Sequence, residues 1–144
     1  MSSTTILAPV PTSEAFAPEF PRNPLPDAIS RAALAAKTAA DNKGQDVQVL
    51  DLRGITPIFD FFVIATGASR RQVHTIVEEV DAALRGVGDE RMGVEGYDVS
   101  KWVVQDYGDI MVHVFDPDTR DYYKLEELWA DAKKVDWEDE LDND

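Results

Sequence analysis

The chain has 144 residues, 44% of them hydrophobic, no cysteine, and a formal charge of −14 from 14 basic and 28 acidic side chains. That length suffices for one domain with a sizeable core. The charge disfavours phosphate backbones and anionic membrane surfaces and favours a basic protein partner, while the missing cysteine excludes disulfides, thiolate catalysis and zinc–thiolate sites.

Residues 1–26 hold six of the eight prolines and no helical or strand periodicity, which predicts a disordered or extended arm. Glu14, Glu19 and a lone Arg22 do not fit a transit peptide, and the basic start and apolar core of a signal peptide are missing. No apolar run reaches membrane-span length, so a cytoplasmic protein is expected.

One compact unit is predicted over 27–134. It opens with a helix over 28–43, with Ile29, Ala33, Ala36 and Ala40 on one face, Asp27 as cap and Gly44 at a left-handed exit. A strand follows over 45–52. After a break at 54–57, the run 59–66 is apolar almost throughout and is placed at the sheet centre, buried on both faces. Ser69 and Gln72 suggest a capping box for a second helix, whose apolar positions are Val73, Ile76, Val77, Val80 and Leu84, with Gly86 at its stop.

The glycine-rich stretch 86–96 has room for one short strand. Residues 102–107 and 110–115 then read as a hairpin about Gly108 and Asp109. A two-residue turn there puts Trp102, Val104 and Asp106 on one face with Met111, His113 and Phe115. Leu125, Leu128, Trp129 and Ala132 mark a last apolar helical stripe, and 135–144, with six acids and one leucine, reads as a solvated tail. Helices interleaved with strands and a late hairpin predict an α/β fold, a single domain with a mixed sheet flanked by helices.

Chemistry is sparse. His74 and Glu78 share a helix face, but two ligands do not close a metal site. Thr66, Gly67 and Ser69 place free backbone amides at a helix start beside Arg70 and Arg71, which could hold an anion. Nucleotidyl transfer needs two adjacent carboxylates as well. Asp106 and Asp109, separated by the hairpin turn, cannot project side by side from one strand face. A turn-and-cap role for Gly67 and Ser69 is the simpler reading, with a nucleotide-binding or nucleotidyltransferase-like enzyme as the alternative. The hairpin carries the stronger signal. Trp102, Tyr107, Tyr122 and Tyr123 are large rings among polar residues, as in protein-docking faces, and Tyr107 at the turn is expected to stay partly exposed. Trp129 is read as a core ring, and His113 as a satisfied sheet residue or a contact.

The unit resembles the ribosomal silencing factor (Iojap-related) family. The resemblance rests on Lys43-Gly44-Gln45-Asp46, Leu50-Asp51, the run 62–69 with Arg71 and Val73, and Gly93-Val94-Glu95-Gly96. It continues through Trp102, Asp106, Gly108-Asp109, Val112-His113-Val114, Arg120, Tyr123, Leu125-Glu126 and Leu128-Trp129. It implies a nucleotidyltransferase-like topology without catalytic acids, no enzymatic activity and no cofactor. It further implies a translational repressor that binds the large ribosomal subunit through ribosomal protein uL fourteen and blocks joining of the small subunit. Partner-binding residues implied are Trp102, Tyr107 and Tyr123, the first and last more firmly, because many members carry leucine at the position of Tyr107. Asp109 and His113 are added from the same hairpin. A homodimer formed through an exposed strand edge is a further expectation.

Overall fold

A computed structural model describes residues 24–142. The predicted arm lies outside these residues up to Asn23, as do the last two residues of the predicted tail. The chain order is α1 (Ala28–Asp41), β1 (Gln45–Asp51), β2 (Phe61–Thr66), α2 (Arg70–Gly86), β3 (Gly93–Glu95), β4 (Trp102–Asp106), β5 (Ile110–Phe115), α3 (Pro117–Tyr123), α4 (Leu125–Leu128), β6 (Lys133–Lys134) and α5 (Trp137–Asp142). The strands form one sheet in the order β3-β4-β5-β2-β1-β6. Only β2 and β5 run parallel; the other neighbours are antiparallel. The mixed α/β sheet expected from the sequence is therefore present.

β2 lies in the middle and all six of its residues are buried. Its alternation feeds two cores. Phe61, Val63 and Ala65 face α1 and α2 together with Val73, Ile76, Val77, Val80 and Leu84. Phe62 and Ile64 face the other way, with Leu50, Leu52, Phe115, Leu125 and Ala132. Strand parity alone sends neighbouring residues to opposite faces, so a strand covered on both sides must be apolar throughout.

Helix ends depart from the sequence reading by a residue or two. Asp27 makes no side-chain cap bond to α1. At its other end the left-handed residue is Lys43 (φ 69), one before Gly44. Lys43 N–H donates to Ala40 O at 3.1 Å and Gly44 N–H to Ala39 O at 2.7 Å, the paired bonds of a Schellman motif. Gly44 is needed for a different reason: a Cβ there would lie 2.6 Å from Ala39 O. α2 ends the same way. Asp89 N–H donates to Leu84 O at 2.9 Å and Gly88 N–H to Arg85 O at 3.0 Å. Gly88 (φ 94), and not Gly86, takes the left-handed position. On α1 the buried stripe is wider than predicted: Ala32, Ala33, Ala35, Ala36, Ala39 and also Arg31 are buried, whereas Ile29 and Ala40 are half-buried.

Two further corrections concern the C-terminal part. The last apolar stripe is not one helix. α3 starts at Pro117, where the Asp116 side chain accepts from Thr119 N–H at 2.8 Å, and it stops at Lys124 in left-handed geometry (φ 48, ψ 54). α4 restarts after that elbow, leaving Leu128 exposed and Trp129 half-buried. The stretch predicted as a solvated tail instead packs, through Asp142. Val135 N–H donates to Val49 O at 2.9 Å, and Val135 and Trp137 lie against the helix-covered core. Two apolar side chains hold an otherwise charged segment, in which Glu138 and Asp139 stay exposed.

Candidate functional site

The hairpin has the predicted register: Trp102 opposite Phe115, Val104 opposite His113, Asp106 opposite Met111. Tyr107 N–H donates to Ile110 O at 3.0 Å, closing a two-residue turn at Gly108 (φ 89) and Asp109. Positive φ at the first turn residue alone is the II′ arrangement that glycine permits.

Trp102, Met111, His113 and Phe115 therefore emerge on the sheet face opposite α1 and α2. There they join a continuous band of rings. Trp102 stacks on Phe115 at 4.9 Å and meets Tyr123 at 5.0 Å, and Tyr123 meets Tyr122 edge-on at 4.9 Å. His113 sits 4.5 Å from Phe62, which contacts Phe59 at 5.4 Å and Trp129 at 5.6 Å. The short α3–α4 elbow covers this face only in part. Tyr122 is 79% exposed, Leu128 72% and Tyr123 47%. The patch is rich in aromatic rings and left open beside a well-filled core.

Arg120 fixes the elbow. Buried itself, it donates from Nη1 to Thr66 Oγ1 at 2.7 Å, from Nη2 to Asp46 Oδ2 at 3.2 Å and from Nε to Glu126 Oε2 at 3.1 Å. One guanidinium thus ties α3 to the ends of β1 and β2 and to α4. The planar guanidinium spreads its donors over three nitrogens and so reaches three separated partners, which the single nitrogen of lysine does not.

The structure brings Trp102 and Tyr123 together with His113 buried beneath them, but it separates Tyr107 and Asp109 from them. Tyr107 is 4% exposed and points to the opposite face, where its hydroxyl donates to Asp81 Oδ1 at 2.9 Å. Burial, and then the Asp81 carboxylate, raise its hydroxyl pKa far above the ordinary range. The expectation of an exposed ring failed because strand parity sends Tyr107 to the helix-covered face with Val103, where it joins the core beneath α2. Met92 N–H donates to Asp106 O at 2.7 Å, and Met92 Sδ lies against Gly108. Asp109 accepts both arms of Arg31, at 3.0 and 2.7 Å, while Arg31 Nη1 also reaches Asp89 at 2.7 Å. That ion cluster, buried at Arg31 and Asp89 and half-exposed at Asp109, locks the hairpin turn to α1 and leaves Asp109 no part in the aromatic band.

His113 is buried, and its Nδ1 accepts from Trp102 Nε1–H at 3.1 Å. Burial pushes its imidazole down to about 3, so it is neutral at physiological pH. It is a sheet residue beneath the band and not an exposed contact.

The remaining candidates resolve into structure. Ser69 Oγ accepts from Gln72 N–H at 3.1 Å, but the Gln72 side chain donates to Asn42 O and does not complete the capping box. Gly67 is buried, and a Cβ there would stand 2.7 Å from Val73 N, so close packing explains the glycine. His74 stacks on Tyr97 at 4.1 Å with Nε2 2.9 Å from Tyr97 O, and Glu78 accepts from the Tyr97 hydroxyl at 2.7 Å. The pair grips a loop. No group of three or more metal-ligating side chains occurs among the described residues, and no helix there is long and apolar enough to cross a membrane. The sequence reading missed Arg31 and Arg120 as anchors. Arg31 had one signal, since it stands four residues before Ala35 on the apolar stripe of α1.

A family model described as ribosomal silencing factor during starvation matches residues 25–144. The chain belongs to this family. It is 43% identical over 105 residues to the ribosomal silencing factor RsfS of Halalkalibacterium halodurans, covering 73% of this chain and 90% of that one. It is 40% identical over 103 residues to the ribosomal silencing factor RsfS of Bacillus subtilis, covering 72% and 87%. A crystal structure of a Chromobacterium violaceum protein superposes with a TM-score of 0.71 at 37% identity, over 73% of this chain and 88% of that one. A Bacillus halodurans structure gives 0.63 at 40% identity, over 72% and 93%. The ribosomal silencing factor match runs past residue 134, the expected end of the unit, and takes in α5.

Proposed function

We propose that this domain represses translation by binding the large ribosomal subunit through ribosomal protein uL fourteen and keeping the small subunit out of the volume it fills. The observation that carries the reading is the open band of Trp102, Tyr123 and Tyr122 on the thinly covered sheet face. Family membership supports a ribosomal role. Blocking a joining event needs no bond chemistry, only occupancy and bulk. A net charge of −14 suits a basic protein and is repelled by exposed RNA, which favours one docking place over many.

A few buried rings can dominate such an interface, each costing roughly 2 kcal/mol or more on truncation. The test is co-sedimentation of the pure protein with isolated large subunits, with and without competing small subunits. Trp102→Ala and Tyr123→Ala are expected to weaken pelleting with circular dichroism unchanged. A folded double variant that pellets like wild type would refute the site. Self-association through the same rings would compete with docking, and light scattering over a concentration series reports it.

A further inference from the structure

His113 is an imidazole in the middle of the aromatic face, and it does a single polar job. Its lateral neighbours in the sheet are Val104 and Ile64, and its ring partners are Phe62, Trp102 and Phe115. Nδ1 accepts from Trp102 Nε1–H at 3.1 Å, whereas Nε2 is buried and has no hydrogen-bond partner among the described residues. For Nδ1 to accept, the neutral ring must carry its proton on Nε2. That leaves a buried donor unpaired, which costs stability. A phenylalanine would remove that buried unpaired donor, giving up only the acceptor for the N–H of the half-buried Trp102 ring. The imidazole is therefore poor value as packing, and what it adds is an acceptor held at a fixed point beneath the indole.

We infer that His113 is a positioning residue for docking: through Nδ1 it fixes the orientation of the Trp102 indole that the partner meets. The inference rests on the docking role proposed for Trp102. Trp102 is only half-buried, and its ring contacts with Phe115 and Tyr123 carry no directional bond, whereas the bond to His113 restrains the side-chain torsion angle that aims the indole. The hydrogen bond sets that angle before binding, so the ordering cost at the interface falls. Because burial keeps the imidazole neutral, Nδ1 stays an acceptor at every physiological pH.

The experiment compares wild type, His113→Phe, His113→Asn, Trp102→Ala, Trp102→Phe and the Trp102→Phe/His113→Phe double variant. Each is measured for affinity to isolated large subunits, for thermal midpoint, and for the Trp102 indole N–H signal by NMR. His113→Phe should bind about tenfold more weakly, the scale of one lost hydrogen bond, while melting no lower than wild type. Its indole N–H should exchange faster with solvent. Asparagine places an acceptor near the Nδ1 position and should recover most of the affinity. In the Trp102→Phe background, which has no donor, His113→Phe should change nothing. Wild-type affinity in His113→Phe, with Trp102→Ala defective, overturns the inference alone. So does an equal loss in both backgrounds, which would mark a merely structural role. Wild-type affinity in Trp102→Ala overturns the docking reading beneath it, and the inference with it.

Discussion

Acid should destabilise this fold through one identifiable side chain. His113 titrates near the ordinary 6.5 when unfolded and near about 3 when folded, because burial penalises the charged ring. The folded pKa is the lower of the two, so the unfolded chain binds more protons below pH 6.5. The stability tied to His113 is complete above that pH and is lost progressively as pH falls toward 3. The limiting slope is about 1.4 kcal/mol per pH unit, and going from pH 7 to pH 5 removes about 2 kcal/mol. Against a total of roughly 5–15 kcal/mol that is a large share. With ordinary denaturant sensitivity it shifts the urea midpoint by about 1 M. The assay is urea denaturation of wild type and His113→Phe at both pH values. His74 and the carboxylates are common to the two proteins, so the difference between their pH profiles isolates His113. Wild type should lose about 2 kcal/mol more than the variant. Parallel profiles would show that His113 is protonated, or solvated, in the native state, and the account of its burial would fall.

Tyr107→Phe removes one buried hydroxyl from Asp81, which keeps Arg85 at 2.8 Å. It should cost about 1 kcal/mol and leave large-subunit binding untouched; a binding loss at unchanged stability would return Tyr107 to the interface. Arg31→Met strands the Asp89 carboxylate, whose side chain is only 6% exposed. Chemical denaturation should show a loss on the order of 3–5 kcal/mol, partly restored by adding Asp89→Asn. Ser69→Ala should cost about 1 kcal/mol as a lost N-cap. Calorimetry of wild type with ATP and magnesium should give no saturable heat; micromolar binding abolished by Ser69→Ala would revive the nucleotide reading.

Much of the site was legible because its determinants are local. Trp102, Val104, Asp106, Met111, His113 and Phe115 share a face because a two-residue Gly108–Asp109 turn sets the register and strand parity does the rest. Nothing local decided what would lie beyond that turn. Tyr107 is buried because α2 packs over that face of the hairpin and brings Asp81 to its hydroxyl.

The sequence by itself determined the element types from α1 to β5, the central place of β2 and the hairpin register. These follow from residue patterns repeated within a few positions, and the forces that read them act over the same short span. Tertiary structure decided which rings stay open to a partner, how the acidic C-terminal segment is held, and which charges are buried. Arg31 finds Asp89 and Asp109 at separations of 58 and 78 residues, and Arg120 finds Asp46 at 74. A buried guanidinium must gather carboxylates from wherever the chain brings them, and no pattern near it in the sequence records that choice.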